Sequence, residues 1–81
     1  MSIRVLFFAS LADITGIRET TVDAAMFSDI RSIFSKFAAE HTDLEARRPT
    51  LMVALNSEFA RLESKVQDGD EVAFFPPVSG G

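Results

Sequence analysis

The residues best suited to chemistry stand at the C-terminal end, where FFPPVSGG runs from Phe74 to Gly81. Gly80 and Gly81 have no side chain, so they can thread a channel too narrow for other residues and leave a terminal carboxylate unhindered. Two successive glycines end a chain by chance in only about one case in 200, since glycine is about 7% of residues. We therefore expect a partner enzyme to activate the Gly81 carboxylate as an acyl adenylate, which a nucleophile then attacks.

Two prolines precede these glycines and set the direction of the chain. Pro76 and Pro77 favour an extended, polyproline-like exit. We predict that residues 76–81 form a flexible, extended arm that spans about 20 Å at most. The arm would carry the reacting carboxylate away from the folded domain.

Three phenylalanines are predicted to point outward, and one of them, Phe75, lies beside this arm. Phe75 directly precedes it, and Phe8 and Phe59 also fall on outward positions of their strands. Exposed apolar side chains often mark protein contact surfaces. These three residues, with Pro76 and Pro77, are therefore candidate docking residues. The alternative is that loops of the same chain cover the phenylalanines.

The rest of the chain contains no arrangement typical of a catalytic or metal site. The DGDE run at residues 68–71 lacks calcium-loop spacing, and we interpret it as a tight turn in which Gly69 has positive φ. The lone His41 fits a helix end, and Arg47 with Arg48 fits a solvated loop better than an anion site. We therefore predict no metal, no bound cofactor and no active site of the chain's own, which leaves open whether it counts as an enzyme.

One α+β domain over residues 1–75 must position the arm. Alternating and apolar runs predict strands at residues 3–9, 18–23, 51–55, 59–62 and 71–75. A short helix over 10–16 is predicted to begin at Ser10 in a capping box and end at Gly16. An apolar stripe predicts one long helix over 28–40, and residues 42–50 are predicted to be loop. The expected architecture is a mixed sheet of about five strands crossed by one main helix.

Composition excludes several classes of function. The 81 residues contain no cysteine, which excludes disulfides, thiolate metal sites and iron–sulfur clusters. A net charge of -4 with only two lysines argues against nucleic acid binding. The N-terminus lacks signal-peptide features and no apolar run approaches the roughly 20 residues of a membrane span, so we expect a cytoplasmic protein without a membrane partner.

Three segments resemble the ubiquitin-like β-grasp sulfur carriers, above all the MoaD family of small molybdopterin synthase subunits. They are RVLFFA near the start, LMVALN in the third quarter, and DGDEVAFFPPVSGG at residues 68–81. The last segment is the most specific, whereas residues 17–50 carry little of the resemblance. The resemblance implies a β-grasp fold and a sulfur-carrying C-terminus.

The resemblance also implies partners. In such carriers an E1-like adenylyltransferase of the MoeB type uses ATP to form a transient acyl adenylate on the terminal glycine, here Gly81. Sulfur then replaces the adenylate, and the thiocarboxylate tail enters a large subunit of the MoaE type. There it gives sulfur to cyclic pyranopterin monophosphate in molybdenum cofactor biosynthesis, within a heterotetrameric synthase.

One position departs from the sequence pattern of the family. Members often have Leu-Arg-Glu after the first strand, whereas this chain has Ala12 in place of the arginine.

Two other functions remain open. The first alternative is another ubiquitin-like sulfur carrier, such as the thiazole type, or a protein modifier. The second is a non-catalytic β-grasp interaction module in which the two glycines are incidental.

Overall fold

The computed structural model describes residues 1–77, which form a five-stranded sheet with three helices and two 3-10 turns. The strands are β1 (Ser2–Phe7), β2 (Glu19–Asp23), β3 (Met52–Leu55), β4 (Glu58–Ala60) and β5 (Glu71–Phe75). The helices are α1 (Ser10–Thr15), α2 (Ile30–Glu40) and α3 (Thr42–Glu45). The 3-10 turns are Ala24–Met26 and Arg48–Thr50.

The sheet is mixed, with the strand order β2-β1-β5-β3-β4. β1 pairs with β5 in parallel, and the other neighbours pair antiparallel. The last strand of the chain therefore lies in the centre of the sheet, between β1 and β3. The predicted α+β architecture, with about five strands and one main helix, is confirmed.

Helix α2 packs on one face of the sheet, which we call the inner face, and encloses a phenylalanine-rich core. Phe7 contacts Phe37 edge-on at 5.1 Å between ring centroids and stacks on Phe74 at 5.6 Å. Phe34 lies 5.4 Å from Phe74. The predicted α2 stripe, Ile30, Ile33, Phe34, Phe37 and Ala38, is buried throughout. Alternation in β5 buries Val72 and Phe74 as predicted, which leaves Phe75 on the outer face of the sheet.

Some boundaries differ from the predictions, most of them at element ends. β1 ends at Phe7, β4 covers Glu58–Ala60, and α2 begins at Ile30. The predicted capping box is wrong, because Ser10 is the first helical residue and Ala9, with φ 53°, occupies the cap without a side-chain hydrogen bond. The helix thus begins one residue too early for Ser10 to act as its cap. The predicted stop at Gly16 is confirmed, with φ 71°.

The prediction that residues 42–50 form a loop is also wrong, since α3 and a 3-10 turn occupy most of the segment. Leu44 is fully buried and anchors the segment to the core. Arg48 donates to both carboxylate oxygens of Glu45 at 2.7 and 2.9 Å, and its guanidinium lies 4.8 Å from the centroid of the Phe34 ring. The ion pair with Glu45 raises the pKa of Arg48. Arg48 is thus not the solvated residue that the sequence predicts, whereas Arg47 is exposed.

The predicted turn at residues 68–70 is confirmed, and both of its aspartates accept hydrogen bonds from backbone amides. Gly69 has φ 89° and donates to the Ser2 carbonyl at 3.0 Å. Asp68 accepts from the Ser2 amide at 2.8 Å, and Asp70 accepts from the Gln67 amide at 2.9 Å. These contacts tie the start of β5 to the start of β1 and so fix the register that places the tail exit.

Asp29 caps helix α2 and should make the stability of the domain pH-dependent. Its carboxylate accepts from the Ser32 amide at 2.9 Å. Hydrogen bonds from the Ser32 backbone and side chain lower the pKa of Asp29 below its ordinary 3.8, against a smaller opposing effect of desolvation. A carboxyl with a lowered pKa in the folded state contributes stability above its unfolded pKa, and that contribution is lost as pH falls through the folded value.

Replacing this cap gives a specific prediction. We expect Asp29→Ala to reduce the free energy of unfolding by about 1 kcal/mol at neutral pH, since the Ser32 amide loses its acceptor. Asp29→Asn should retain most of the stability, because an amide oxygen also caps, and should lose less stability than wild type below about pH 3.8. Urea unfolding at neutral and acid pH measures both. Equal acid sensitivity of wild type and Asp29→Asn would contradict the assignment.

Candidate functional site: the outer sheet face at the tail exit

The chain leaves the sheet at the end of its central strand. Phe75 is the last residue of β5 and is half-buried, Pro76 is half-buried, and Pro77 is exposed. The prediction of an extended arm over 76–81 is therefore testable only at its two prolines. Gly80 and Gly81 lie outside the described residues, and their proposed chemistry stays a prediction.

Beside this exit, the three predicted outward phenylalanines lie in one row, which we call the Phe row (Phe8, Phe75 and Phe59). The ring of Phe75 is central, 6.3 Å from the centroid of Phe8 and 6.0 Å from that of Phe59. Phe8 is 48% exposed and Phe59 is 75% exposed. The alternative that loops of the described chain cover these two side chains is thus wrong.

Strand register explains why residues so distant in sequence meet here. Phe8 follows β1, and its amide donates to the Phe74 carbonyl at 3.0 Å, which continues the parallel ladder beside Phe75. On the other side, Ala54 of β3 lies between its cross-strand partners Ala73 of β5 and Phe59 of β4. Small alanine side chains at these positions leave room for the ring of Phe59 to approach Phe75.

An ion-pair network around Arg4 lies on the same outer face and reaches the start of β5. Arg4 lies 3.1 Å from the carboxylates of both Glu19 and Glu71, one on each neighbouring strand. All three side chains are at least partly exposed, so the pairs contribute little to stability. They do give the outer face two distinct ends, with charged residues at the start of β5 and aromatic residues where the chain exits.

A groove of about 410 Å³ adjoins the Phe row at Phe8. It is lined by Leu6, Phe7, Phe8, Ala9, Ala12, Asp13, Arg18 and Glu19. Ala12, the position that departs from the family pattern, is half-buried in this wall. Sequence reasoning missed the groove, since its lining comes from β1, α1 and β2, which only the fold brings together.

The other singled-out residues do not join this site. His41 ends helix α2, where its amide donates to the Phe37 carbonyl at 2.9 Å, so its predicted helix-end position is confirmed. Among residues 1–77, no group of three His, Asp or Glu side chains is placed to hold a metal ion. Over the same residues, no helix combines the length and the apolar character needed to cross a membrane.

Comparisons with known proteins agree with this architecture. The sequence profile of the ThiS family matches residues 5–81. The molybdopterin synthase sulfur carrier subunit of Escherichia coli is 38% identical over 98% of this chain and 99% of its own length. The protein of the same name from Chlamydomonas reinhardtii is 36% identical over the full length of both chains.

Among solved structures, the crystal structure of SAMP1 from Haloferax volcanii superposes with a TM-score of 0.81 at 32% identity and covers all of both chains. This match confirms the expected ubiquitin-like β-grasp fold. The resemblance inferred from RVLFFA, LMVALN and the C-terminal segment is confirmed as well. The chain therefore belongs to the ThiS family and is similar over its whole length to molybdopterin synthase sulfur carrier subunits.

Proposed function

We propose that this protein is the sulfur carrier subunit of a molybdopterin synthase. In this proposal the Gly81 carboxylate becomes a thiocarboxylate that donates sulfur to cyclic pyranopterin monophosphate. The protein is a delivery domain without an active site of its own, and it acts in the cytoplasm. It binds neither nucleic acid nor membrane.

The observation that carries the proposal is the position of the Phe row directly beside the tail exit. Phe75 ends the strand from which the arm departs, and Phe8 and Phe59 flank it on the outer face. A partner that docks on this row would receive residues 76–81 at the edge of its contact surface. The full-length similarity to sulfur carrier subunits supports the same reading.

The proposed chemistry takes place on the partners. An E1-like enzyme of the MoeB type would transfer the adenylyl group of ATP to the Gly81 carboxylate and release pyrophosphate. Sulfide would then attack the carbonyl carbon and expel AMP, which leaves a thiocarboxylate. A large subunit of the MoaE type would bind the loaded arm, in a heterotetramer with one carrier at each end of a large-subunit dimer.

The absence of cysteine from the chain is consistent with this chemistry. The sulfur is carried on the main-chain carboxyl of Gly81, so no thiol side chain is needed. The domain contributes two things: docking through Phe8, Phe59, Phe75, Pro76 and Pro77, and a narrow end formed by Gly80 and Gly81. ATP is a substrate of the activating partner and not a cofactor bound by this chain.

Intact mass spectrometry tests the proposal. The protein is incubated with the E1-like enzyme of its own organism, ATP and sulfide. We expect a mass gain that corresponds to the replacement of one oxygen by sulfur, and no gain when ATP is omitted. An unchanged mass, in the presence of an activating enzyme that loads its known carrier, would contradict the proposal.

The narrow end of the arm gives a graded prediction. Gly80→Val should reduce thiocarboxylate formation about tenfold or more, because extra side-chain atoms in a tight site cost about 1–3 kcal/mol. Gly81→Ala should be milder, since it adds a single methyl group at the end. Initial loading rates of the two variants measure the difference. Equal rates for Gly80→Val and wild type would show that the path of the arm is not narrow.

A protein modifier is the second candidate, since the chain is similar to SAMP1 over the full length of both proteins. An activated Gly81 carboxyl would then be attacked by a lysine amine of another protein instead of sulfur. Immunoblots of cells that express the N-terminally tagged protein distinguish the two. Discrete higher-mass conjugates that require Gly81 would favour the modifier. Free protein alone, with restored molybdenum-enzyme activity in a carrier-deficient strain, would favour the sulfur carrier.

A non-catalytic interaction module would make the C-terminus dispensable. An uncleaved C-terminal fusion blocks the Gly81 carboxylate but leaves the Phe row in place. Under the sulfur-carrier proposal, such a fusion fails to complement the carrier-deficient strain. Complementation by an intact fusion would favour the interaction module.

A further inference from the structure

Two arginines flank the Phe row at its opposite ends. Arg18 lines the groove that adjoins Phe8. Arg61 is the second residue after Phe59, immediately beyond the end of β4. Both residues are exposed.

Within residues 1–77, these arginines differ from most other cations in having no acidic partner. Among residues 1–77, four basic side chains form ion pairs with carboxylates: Arg4, Arg31, Lys36 and Arg48. No ion pair or side-chain hydrogen bond engages the guanidinium of Arg18 or Arg61 within that part of the chain. This is notable in a protein of net charge -4, in which carboxylates outnumber cations.

The groove beside Phe8 contains two carboxylates close to Arg18. Its carboxylates are Asp13 and Glu19, and Glu19 is already paired with Arg4 at 3.1 Å. Asp13 forms no ion pair with Arg18 across the described residues. The Arg18 guanidinium therefore remains available to an external carboxylate beside the exposed ring of Phe8.

We propose that Arg18 and Arg61 are specificity residues for docking, and that the partner surface which covers the Phe row has an apolar centre flanked by carboxylates. This inference rests on the proposed function, because it names the chemistry of the surface that receives the carrier. The apolar row supplies contact area, and the two cations set the register of the partner across it. Opposite charges at the rim of an interface act mainly on the association rate and on the rejection of wrong partners.

The position of the two arginines also affects how this negatively charged protein approaches an acidic partner. A net negative protein is repelled by an acidic partner surface at long range. Arg18 beside Phe8 and Arg61 after Phe59 would offset part of this repulsion where the partner docks.

Charge reversal tests the inference with a matched control. Arg18→Glu and Arg61→Glu are compared with Arg47→Glu, which makes the same change of net charge at an exposed arginine between α3 and the second 3-10 turn. The association rate constant with the large synthase subunit of the same organism is measured at low and high salt. Circular dichroism confirms that each variant is folded.

We expect Arg18→Glu and Arg61→Glu each to lower the association rate roughly threefold to tenfold at low salt, and Arg47→Glu to change it less than about twofold. At about 0.5 M salt the differences should largely disappear, since screening removes long-range attraction. An equal effect of all three reversals would show that only net charge matters and would overturn the inference.

Phe59→Ser separates this inference from the proposed function. If Phe59→Ser weakens binding but both reversals behave like Arg47→Glu, the arginine assignment fails and the docking face stands. If neither Phe59→Ser nor the reversals affect binding, the docking face itself is wrong.

Discussion

Deletion of Gly81 is expected to reduce sulfur loading at least about a hundredfold and to leave the fold unchanged. The shortened chain still ends in a glycine, Gly80, so its terminal carboxylate has the same intrinsic reactivity. The deletion changes how far the carboxylate extends from the domain, because removal of one residue moves it back by about 3.5 Å. A displacement of about 1 Å can already cost a factor of about 100 in rate when reacting groups must be aligned.

The fold should survive this deletion because residues 1–77 already form an apolar core. Among these residues, all fourteen buried apolar side chains belong to the sheet, α1, α2 and α3, and the last of them is Phe74. The midpoint of thermal unfolding should therefore match that of wild type. A loss of loading that came with a lowered midpoint would be a folding effect and would not support the proposal.

Ser79→Ala is the matched control for chain length. It alters the arm two residues before its end and preserves the position of the terminal carboxylate. We expect near-normal loading, measured as the fraction of thiocarboxylate by intact mass. Normal loading of the Gly81 deletion itself would contradict the assignment of Gly81 as the reacting residue.

Those parts of the fold that depend on local patterns were predictable from the sequence. The stripe of Ile30, Phe34 and Phe37 determines which face of α2 is buried, and alternation in β5 separates Phe74 from Phe75. The outward position of the Phe row follows from the same alternation. Its assembly into a row does not, because the meeting of Phe8, Phe75 and Phe59 depends on strand order and register.

The segment 42–50 was mispredicted because its structure depends on tertiary contacts. Its residues are mostly polar, and a four-residue helix such as α3 has little intrinsic stability. Burial of Leu44 and the position of Arg48 over Phe34 hold it in place. Likewise, the positive φ of Ala9 reflects the reversal after β1, which no residue preference at that position indicates.

Loss of the two exposed rings of the Phe row should have the second large effect. We expect the double variant Phe8→Ser/Phe59→Ser to raise the dissociation constant for the large synthase subunit about 100-fold or more. Aromatic side chains buried at the centre of an interface often contribute about 2 kcal/mol or more each, and each 1.4 kcal/mol is a factor of about ten. Isothermal titration calorimetry measures the change.

The double variant should leave the fold of the domain largely intact, although it weakens binding to the large subunit. In the free protein Phe8 is 48% exposed and Phe59 is 75% exposed, so their removal costs little core packing. Phe75 is half-buried and contacts both rings, and it remains in place to hold the tail exit. We therefore expect a native-like fold combined with weak binding.

Met26→Ser provides the matched control, because Met26 is 72% exposed in the first 3-10 turn and lies outside the Phe row. Both variants remove exposed apolar surface, but only one removes it beside the arm. If Met26→Ser weakens binding as much as the double variant, exposed apolar area alone governs affinity. If only the double variant does, docking is specific to the face from which Gly81 is delivered. Sulfur transfer should then fall with binding, because the six residues after Phe75 span at most about 20 Å and reach a target only from a carrier docked nearby.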